Sequence, residues 1–377
     1  MRIALVVPGG VDRSGEYRVI PAVIALIARL AKHHDVQVFA LKQEARAGEW
    51  DLAGAHIRNI GVGQTVLRAV RSIYTQHCLA PFDIVHAIWS GGPGLIAATS
   101  GKILGIPSLI HIAGGELVSM ADIAYGGART WHGRLREAGI LRAASALTGA
   151  SAPVIESLAK RGLSARRVPL GVDLSAWPPR PPVRRDSTRP ARLIHVASLN
   201  RVKDQPTLLR ALVSLLRAGV RFELDIVGED TLHGEVQALA ATLGLAGRVR
   251  FRGFLPQREL RPLVEAADLM LLSSRHETGP LAVLEAAVAG VPTVGTAVGH
   301  LCEWSPYAAV AVPPGDWARL AQATAEILEN EELRLRIAGE ALRRAVREDA
   351  DNTADRFAAL YMDLIESRRL KSRRRRP

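Results

Sequence analysis

Short apolar runs alternate with stretches of helical spacing from one end of this chain to the other. Runs such as Ile3–Val7 and Leu269–Leu272 are too continuous for strands with one wet face, and they fit strands covered on both faces, as parallel sheets require. In the first half the pattern predicts strands at Ile3–Val7, Asp35–Ala40, His56–Ile60, Ile84–His86, Ser108–Ile112 and Ala146–Thr148. Helices are clearest over 19–32 and 94–104, the second stopped by Gly105-Ile106-Pro107.

The rhythm breaks at Pro178-Pro179-Arg180-Pro181-Pro182, which cannot continue a helix or a central strand and reads as an exposed, solvated connector. It then restarts, with strands at Arg192–Ala197, Arg221–Val227, Val249–Phe251, Leu269–Leu272 and Thr293–Gly295. Helices are expected at Pro206–Ala218, Glu235–Leu243, about 281–289 and through most of 317–366. The fold class that follows is α/β, with two doubly wound Rossmann-like domains facing across a cleft. The expected division is 1–175, a Pro/Arg-rich linker over 176–191, a second domain over 192–345, a helix over 346–367 packing back on the first domain, and a basic tail over 368–377. Ligands of such sheets lie at the carboxyl ends of the strands.

Composition changes this picture little. The 377 residues are 48% hydrophobic and 23% charged, an ordinary globular balance. A formal charge of +12 invites a nucleic-acid reading, but residues 368–377 hold seven basic side chains and no acid, and residues 180–192 hold five arginines against one aspartate. Eleven of the twelve excess charges therefore sit in the linker and the tail, where they read as solvated segments. No run reaches the ~18 to 20 apolar residues of a membrane span. The apolar start breaks at Pro8-Gly9-Gly10, so it reads as a buried strand and loop rather than an export signal. Cys78 and Cys302 have no CxxC or zinc spacing around them, which fits a reducing compartment.

Two turns could carry chemistry. After the strand at 269–272, a polar turn holds Glu277, and Gly279-Pro280-Leu281 opens a helix that carries Glu285. Free amides at that helix start suit an anion, and the two glutamates could grip hydroxyls at two points of one ligand. Read alone, two glutamates eight apart are more simply a helix-start acid and a surface acid. In Ser198-Leu199-Asn200-Arg201-Val202-Lys203-Asp204-Gln205-Pro206, a lysine stands beside a helix N-terminus, which suits a diphosphate. Pro8-Gly9-Gly10 with Ser14-Gly15 makes a Gly-rich loop after the first strand, but neither GxGxxG nor GxxxxGK[ST] occurs. His111 ends an apolar strand before Gly114-Gly115, either as a satisfied core histidine or as a group facing the cleft, and His86 poses the same question. Asp349-Ala350-Asp351 has DxD spacing but falls in the C-terminal helical region, so it reads as a helix boundary and no metal is expected.

Taken in order, these segments resemble the retaining GT-B glycosyltransferases of family 4, the group 1 glycosyl transferases. The resemblance runs from Pro8-Gly9-Gly10 and Ser14-Gly15 through His111, Pro169-Leu170-Gly171-Val172-Asp173, Ser198–Asp204, Val227-Gly228-Glu229 and Val249–Phe254 to the Glu277 and Glu285 pair with Ala289-Gly290-Val291-Pro292. It implies sugar transfer from a nucleotide-sugar donor to a hydroxyl acceptor, with the anomer retained and no metal or other cofactor. Lys203 would bind the diphosphate, Glu285 the ribose hydroxyls, and Glu277 the donor sugar. Gly279, Pro280 and Leu281 would offer backbone groups to sugar or phosphate, Gly15 would admit the diphosphate, the backbone around Phe254 would face the base, and His111 would stand beside the reacting centre. The family usually has an arginine five residues before the lysine, here Ser198, and Arg201 is the candidate to supply the missing charge. The usual Gly-Phe-Gly is here Thr278-Gly279-Pro280. UDP-sugars are the first expectation and GDP-mannose the second. Lipid-linked acceptors, with the basic tail at an anionic membrane face and a cytoplasmic location, complete the expectations. The competing readings are a nucleotide-sugar epimerase of the same architecture and a nucleic-acid-binding scaffold using the tail. The tail has no interleaved aromatics for base stacking, so no nucleic acid is expected.

Overall fold

The structure is a computed structural model that describes residues 1–373, with side chains through residue 370. The chain forms two compact units, Met1–Gly171 together with the chain from Ala350 onward, and Val172–Asp349.

The first unit is built on β1 (Arg2–Val7), α1 (Pro21–Ala31), β2 (Asp35–Ala40), β3 (Gly48–Leu52), β4 (Ala55–Asn59), α2 (Thr65–Leu79), β5 (Ile84–Ile88), α3 (Gly91–Leu104), β6 (Ser108–Ile112), α4 (Trp131–Ala143), β7 (Ala146–Gly149), α5 (Ala152–Ala159) and β8 (Arg166–Arg167). Its sheet runs β3-β4-β2-β1-β5-β6-β7-β8, parallel except for the β3–β4 edge. The central strands β5 and β6 are buried along their whole length, which is why their sequences do not alternate. Ile110 and Ile112 face α3, packing with Ile96 and Ala97. β3 was not expected. Its Gly-Glu-Trp-Asp-Leu is exposed on one face, half-buried on the other and carries no apolar run, and its pairing with β4 defines it as an edge strand.

The second unit runs through β9 (Ala191–Val196), α6 (Gln205–Arg217), β10 (Phe222–Val227), α7 (Glu235–Thr242), β11 (Val249–Gly253), α8 (Gln257–Glu265), β12 (Leu269–Leu272), α9 (Leu281–Val288), β13 (Thr293–Thr296), α10 (His300–Trp304), β14 (Val310–Val312), α11 (Trp317–Glu329) and α12 (Glu331–Arg347). All its strands are parallel, in the order β11-β10-β9-β12-β13-β14. The order reverses between β9 and β12, whose carboxyl ends lead into the two turns singled out above. α8 escaped the sequence reading because Pro262 reads as a breaker, yet it sits inside the helix.

The linker differs from expectation. Its residues are largely exposed, but they are strapped to the second unit rather than free. Arg180 pairs with Glu265 at 2.7 Å, Arg184 pairs with Glu332, the Arg185 amide donates to Glu331 at 2.8 Å, and Arg189 grips Asp268 through two bonds of 2.8 Å. Arg334 of α12, only 2% exposed, donates to the carbonyls of Val183 and Asp268 and pairs with Glu331. The passage between units therefore falls at Gly171–Val172, ahead of the Pro/Arg-rich run.

The C-terminal helix α13 (Ala350–Arg373) extends beyond 367, so the first part of the expected tail is helical, and residues 374–377 lie outside the described ones. α13 belongs to the first unit, packs on α1, and places Phe357 and Tyr361 in the core. Asp351 of the DxD opens this helix and holds Arg29 of α1 through bonds of 2.9 and 3.1 Å.

Candidate functional site

In the second unit, β9 ends at Val196 and the chain turns through Asn200, whose side chain accepts from the Lys203 amide at 3.2 Å. Asp204 caps α6 with a left-handed backbone, accepting from the Thr207 amide and hydroxyl. The turn after β12 is tied to this one. Ser273 Oγ donates to the Lys203 carbonyl at 2.7 Å, and the Arg275 amide donates to the Val202 carbonyl at 2.8 Å. These bonds bring Lys203 Nζ to 2.5 Å from Glu277 Oε1, which also accepts from Ser274 Oγ at 2.7 Å. Two residues 74 apart in sequence thus form one ion pair, largely withdrawn from solvent.

Pro280 stands at the N-cap of α9 with an extended backbone, so the amides of the first turn begin at Leu281. Gly299, after β13, has φ +49°, and a Cβ there would lie 2.9 Å from Pro280 Cδ and 3.2 Å from Glu277 Cβ. Its bare backbone lets the following segment close against the Glu277–Pro280 turn. Glu285, one turn into α9, is only 5% exposed, and burial pushes its carboxyl up to about 7 against the opposing hydrogen bond from Gln257 Nε2 at 3.0 Å. Beneath the lysine turn, His195 Nδ1 donates to the Leu271 carbonyl at 2.9 Å, while its Nε2 accepts from Gln205, which also donates to the Ser198 carbonyl. Burial holds that ring down to about 4, so it is a neutral brace between β9, β12 and the turn.

The structure therefore brings Lys203, Glu277, Gly279, Pro280, Leu281 and Glu285 to the carboxyl ends of β9 and β12 and the start of α9. Arg201 does not join them. Its guanidinium bonds both carboxylate oxygens of Glu235 on α7, at 2.9 and 3.1 Å on the surface. Phe254 follows β11 and is half exposed. His195, Gln205, Gln257 and Trp177 were missed: a lone histidine in an apolar strand carries no spacing signal, and the other three gain their roles only through partners distant in the chain.

In the first unit, Gly15 closes a turn on the Asp12 carbonyl at 3.0 Å with φ +69°. Gln43 Oε1 pins the same loop by accepting from the amides of Gly10 and Val11 at 2.7 and 3.0 Å. His111 is corrected from a group beside the reacting centre to a core histidine. Its ring is 0% exposed, bonded through Nδ1 to Thr148 Oγ1 at 3.0 Å, set edge-on against Phe357, and held down to about 3 by burial. His86 is likewise sealed, bonded to the Tyr361 hydroxyl at 2.6 Å. Past the strand end, Glu116 accepts from the amides of Ser90 and Gly114 at 3.1 and 2.7 Å, with burial raising its carboxyl.

Comparison with known proteins agrees with this architecture. The description "Glycosyl transferases group 1" matches residues 182–344, and "Glycosyl transferase 4-like domain" matches 19–173. The chain is 29% identical over 317 residues to D-inositol 3-phosphate glycosyltransferase 1 of Catenulispora acidiphila, covering 76% of this chain and 74% of that one. It is 32% identical over 124 residues to 2-deoxystreptamine glucosyltransferase of Streptomyces kanamyceticus, covering 32% of each. The match thus spans about a third of that relative, and 39% of the length of a 34% identical Mycobacterium tuberculosis glycogen synthase. Among solved structures, sucrose-phosphate synthase from Thermosynechococcus elongatus superposes with a TM-score of 0.78 at 18% identity, covering 97% of this chain and all of that one. Anabaena HepE in complex with UDP-glucose superposes at 0.74 and 18% identity, with the same coverage. With one family description on each unit and the two-domain fold of these neighbours, the chain belongs to the group 1 glycosyl transferases, family 4, of the GT-B fold.

Proposed function

We propose that this chain moves a sugar from a nucleotide-sugar donor to a hydroxyl acceptor with retention at the anomeric carbon and without a metal, in the synthesis of a polysaccharide, glycolipid or other glycoconjugate. The observation that carries this reading is the Lys203–Glu277 pair at 2.5 Å beside the first turn of α9, with the buried Glu285 in the same helix. An ammonium and a helix N-terminus supply the positive potential a diphosphate needs. A carboxylate held by Lys203 and Ser274 is oriented for sugar hydroxyls, and Glu285 for those of the ribose.

In the reaction, the bond from the anomeric carbon to the diphosphate oxygen breaks first, and Lys203 with the α9 amides takes up the developing charge. The acceptor oxygen bonds to the same face of that carbon, and its proton passes to the departing phosphate oxygen. UDP-sugars are the first choice of donor, supported by HepE, whose structure holds UDP-glucose. GDP-mannose is second, supported by a 34% identical mannosyltransferase of Mycobacterium tuberculosis described as GDP-mannose-dependent. A lipid-linked acceptor met at an anionic membrane face through the basic C-terminus remains part of this reading. No helix among the described residues is long and apolar enough to cross a membrane.

Lys203→Ala tests the assignment. Turnover of the preferred nucleotide sugar, found by a binding screen, should fall about 100-fold or more with the melting temperature little changed. A folded variant with near-normal turnover would sink the reading.

A further inference from the structure

Glu285 cannot be oriented by its own helix, since a carboxylate at 5% exposure needs a partner to fix its rotamer. That partner is Gln257, the first residue of α8, whose Nε2 donates to Glu285 Oε1 at 3.0 Å. A glutamine amide can present either end. Here Trp177 decides, because its indole N–H is bonded to Gln257 Oε1, and an indole nitrogen can only donate. The amide oxygen must face Trp177, so the nitrogen must face Glu285. Trp177 is itself fixed, 3% exposed, packed with Leu260 and Val264 of α8, its own amide donating to the Asp173 carbonyl at 2.9 Å. Glu285 Oε2 is left to a ligand.

We infer that Trp177 and Gln257 are positioning residues for Glu285, a donor-only indole fixing an amide that fixes the carboxylate on which a nucleotide's vicinal hydroxyls close. This rests on the reading of Glu285 as the ribose-binding group. The electrostatics agree. Burial is the largest influence on Glu285 and Gln257 the only polar partner opposing it. The neighbouring charges are engaged elsewhere: on α8, Glu265 with Arg180, Arg261 with the Ala176 carbonyl and Arg258 beside Glu259, and on α12, packed against α9, Glu340 with Arg343 and Arg344. The amide thus favours the ionised form of the carboxylate as well as aiming it.

The test is calorimetric titration of the full chain with UDP, and with GDP if UDP does not bind, from about pH 5.5 to about pH 9. Wild-type affinity should fall as pH drops through about 7. In Gln257→Leu the midpoint should rise by about one pH unit, with affinity at pH 7 about fivefold lower and the deficit shrinking at high pH. Trp177→Phe, which keeps the packing and removes the donor, should move both in the same direction by less. Lys203→Ala should weaken binding at every pH without moving the midpoint. Variants that keep the wild-type midpoint, whether with full affinity or with a uniform loss, would overturn the inference and leave the nucleotide reading standing. A wild-type chain that binds neither nucleotide would overturn both.

Discussion

Glu285 answers to two opposed demands. As a ligand for hydroxyls it must be ionised, and as a residue in the core of its unit it is best neutral, which is why its carboxyl rises to about 7. Its folded value lies above the ordinary 4.5, so the unfolded chain releases this proton first. The stability it contributes is full below about pH 4.5 and is lost as pH rises to about 7. Glu285→Gln keeps an acceptor for Gln257 and removes the charge. It should raise the melting temperature at pH 8, recovering on the order of 3 kcal/mol, leave it nearly unchanged at pH 5, and abolish nucleotide binding. Melting curves at the two pH values check the sign, and an equal effect at both would refute it. Lys203, Glu277 and Glu285 were legible in the sequence because turn chemistry marks them: a strand end, a polar turn, a glycine-proline helix start. Their supports were not, since the Trp177, Gln257 and Glu285 chain joins residues 80 and 28 positions apart. The sequence left His111 open between core and cleft, and the packing of Phe357, more than two hundred residues later, decides it.

Among elements, the Pro/Arg-rich run shows how composition misleads. Five prolines and four arginines describe a solvated connector, yet most of the arginines find acids on α8, on α12 and just ahead of β12, whose order in the chain gives no hint of it. The contributions differ by burial. Arg184 with Glu332 is an exposed pair, and Arg184→Ala should cost under about 1 kcal/mol. Arg334 is buried and satisfies two carbonyls as well as Glu331, so Arg334→Ala should cost roughly 3 to 5 kcal/mol. Denaturant titration following Trp177, which lies in the same unit, reads both, and similar midpoints for the two variants would count against the strap. Elements with a continuous apolar run were placed within a residue or two, as at Asp35–Ala40, Ser108–Ile112 and Leu269–Leu272. Those defined by pairing or by a tolerated proline, β3 and α8, were not.

Over the whole molecule, the chain leaves its first unit at Gly171, completes the second, and returns with α13. Phe357, Leu360 and Tyr361 fill the first unit's core, so that unit cannot be complete before the last helix is made. A chain ending at Asp349 should lose or strongly lower the calorimetric transition of the first unit while keeping that of the second, and two unchanged transitions would contradict the account. The charge of +12 also changes meaning. Counted along the sequence it belongs to the linker and the tail, but counted in space the linker's arginines are largely met by Glu265, Asp268, Glu331 and Glu332. The sequence by itself determined what local chemistry can encode: two parallel α/β units, the turns that follow their strands, and the residue types those turns offer to a diphosphate and to hydroxyls. Tertiary structure alone decided which of those residues meet, which arginines are neutralised, that His111 is sealed, and which unit owns the last helix. Periodicity and turn propensity act over a few residues, whereas ion pairing, burial and the choice of a hydrogen-bond partner depend on distances that the chain closes only when it folds.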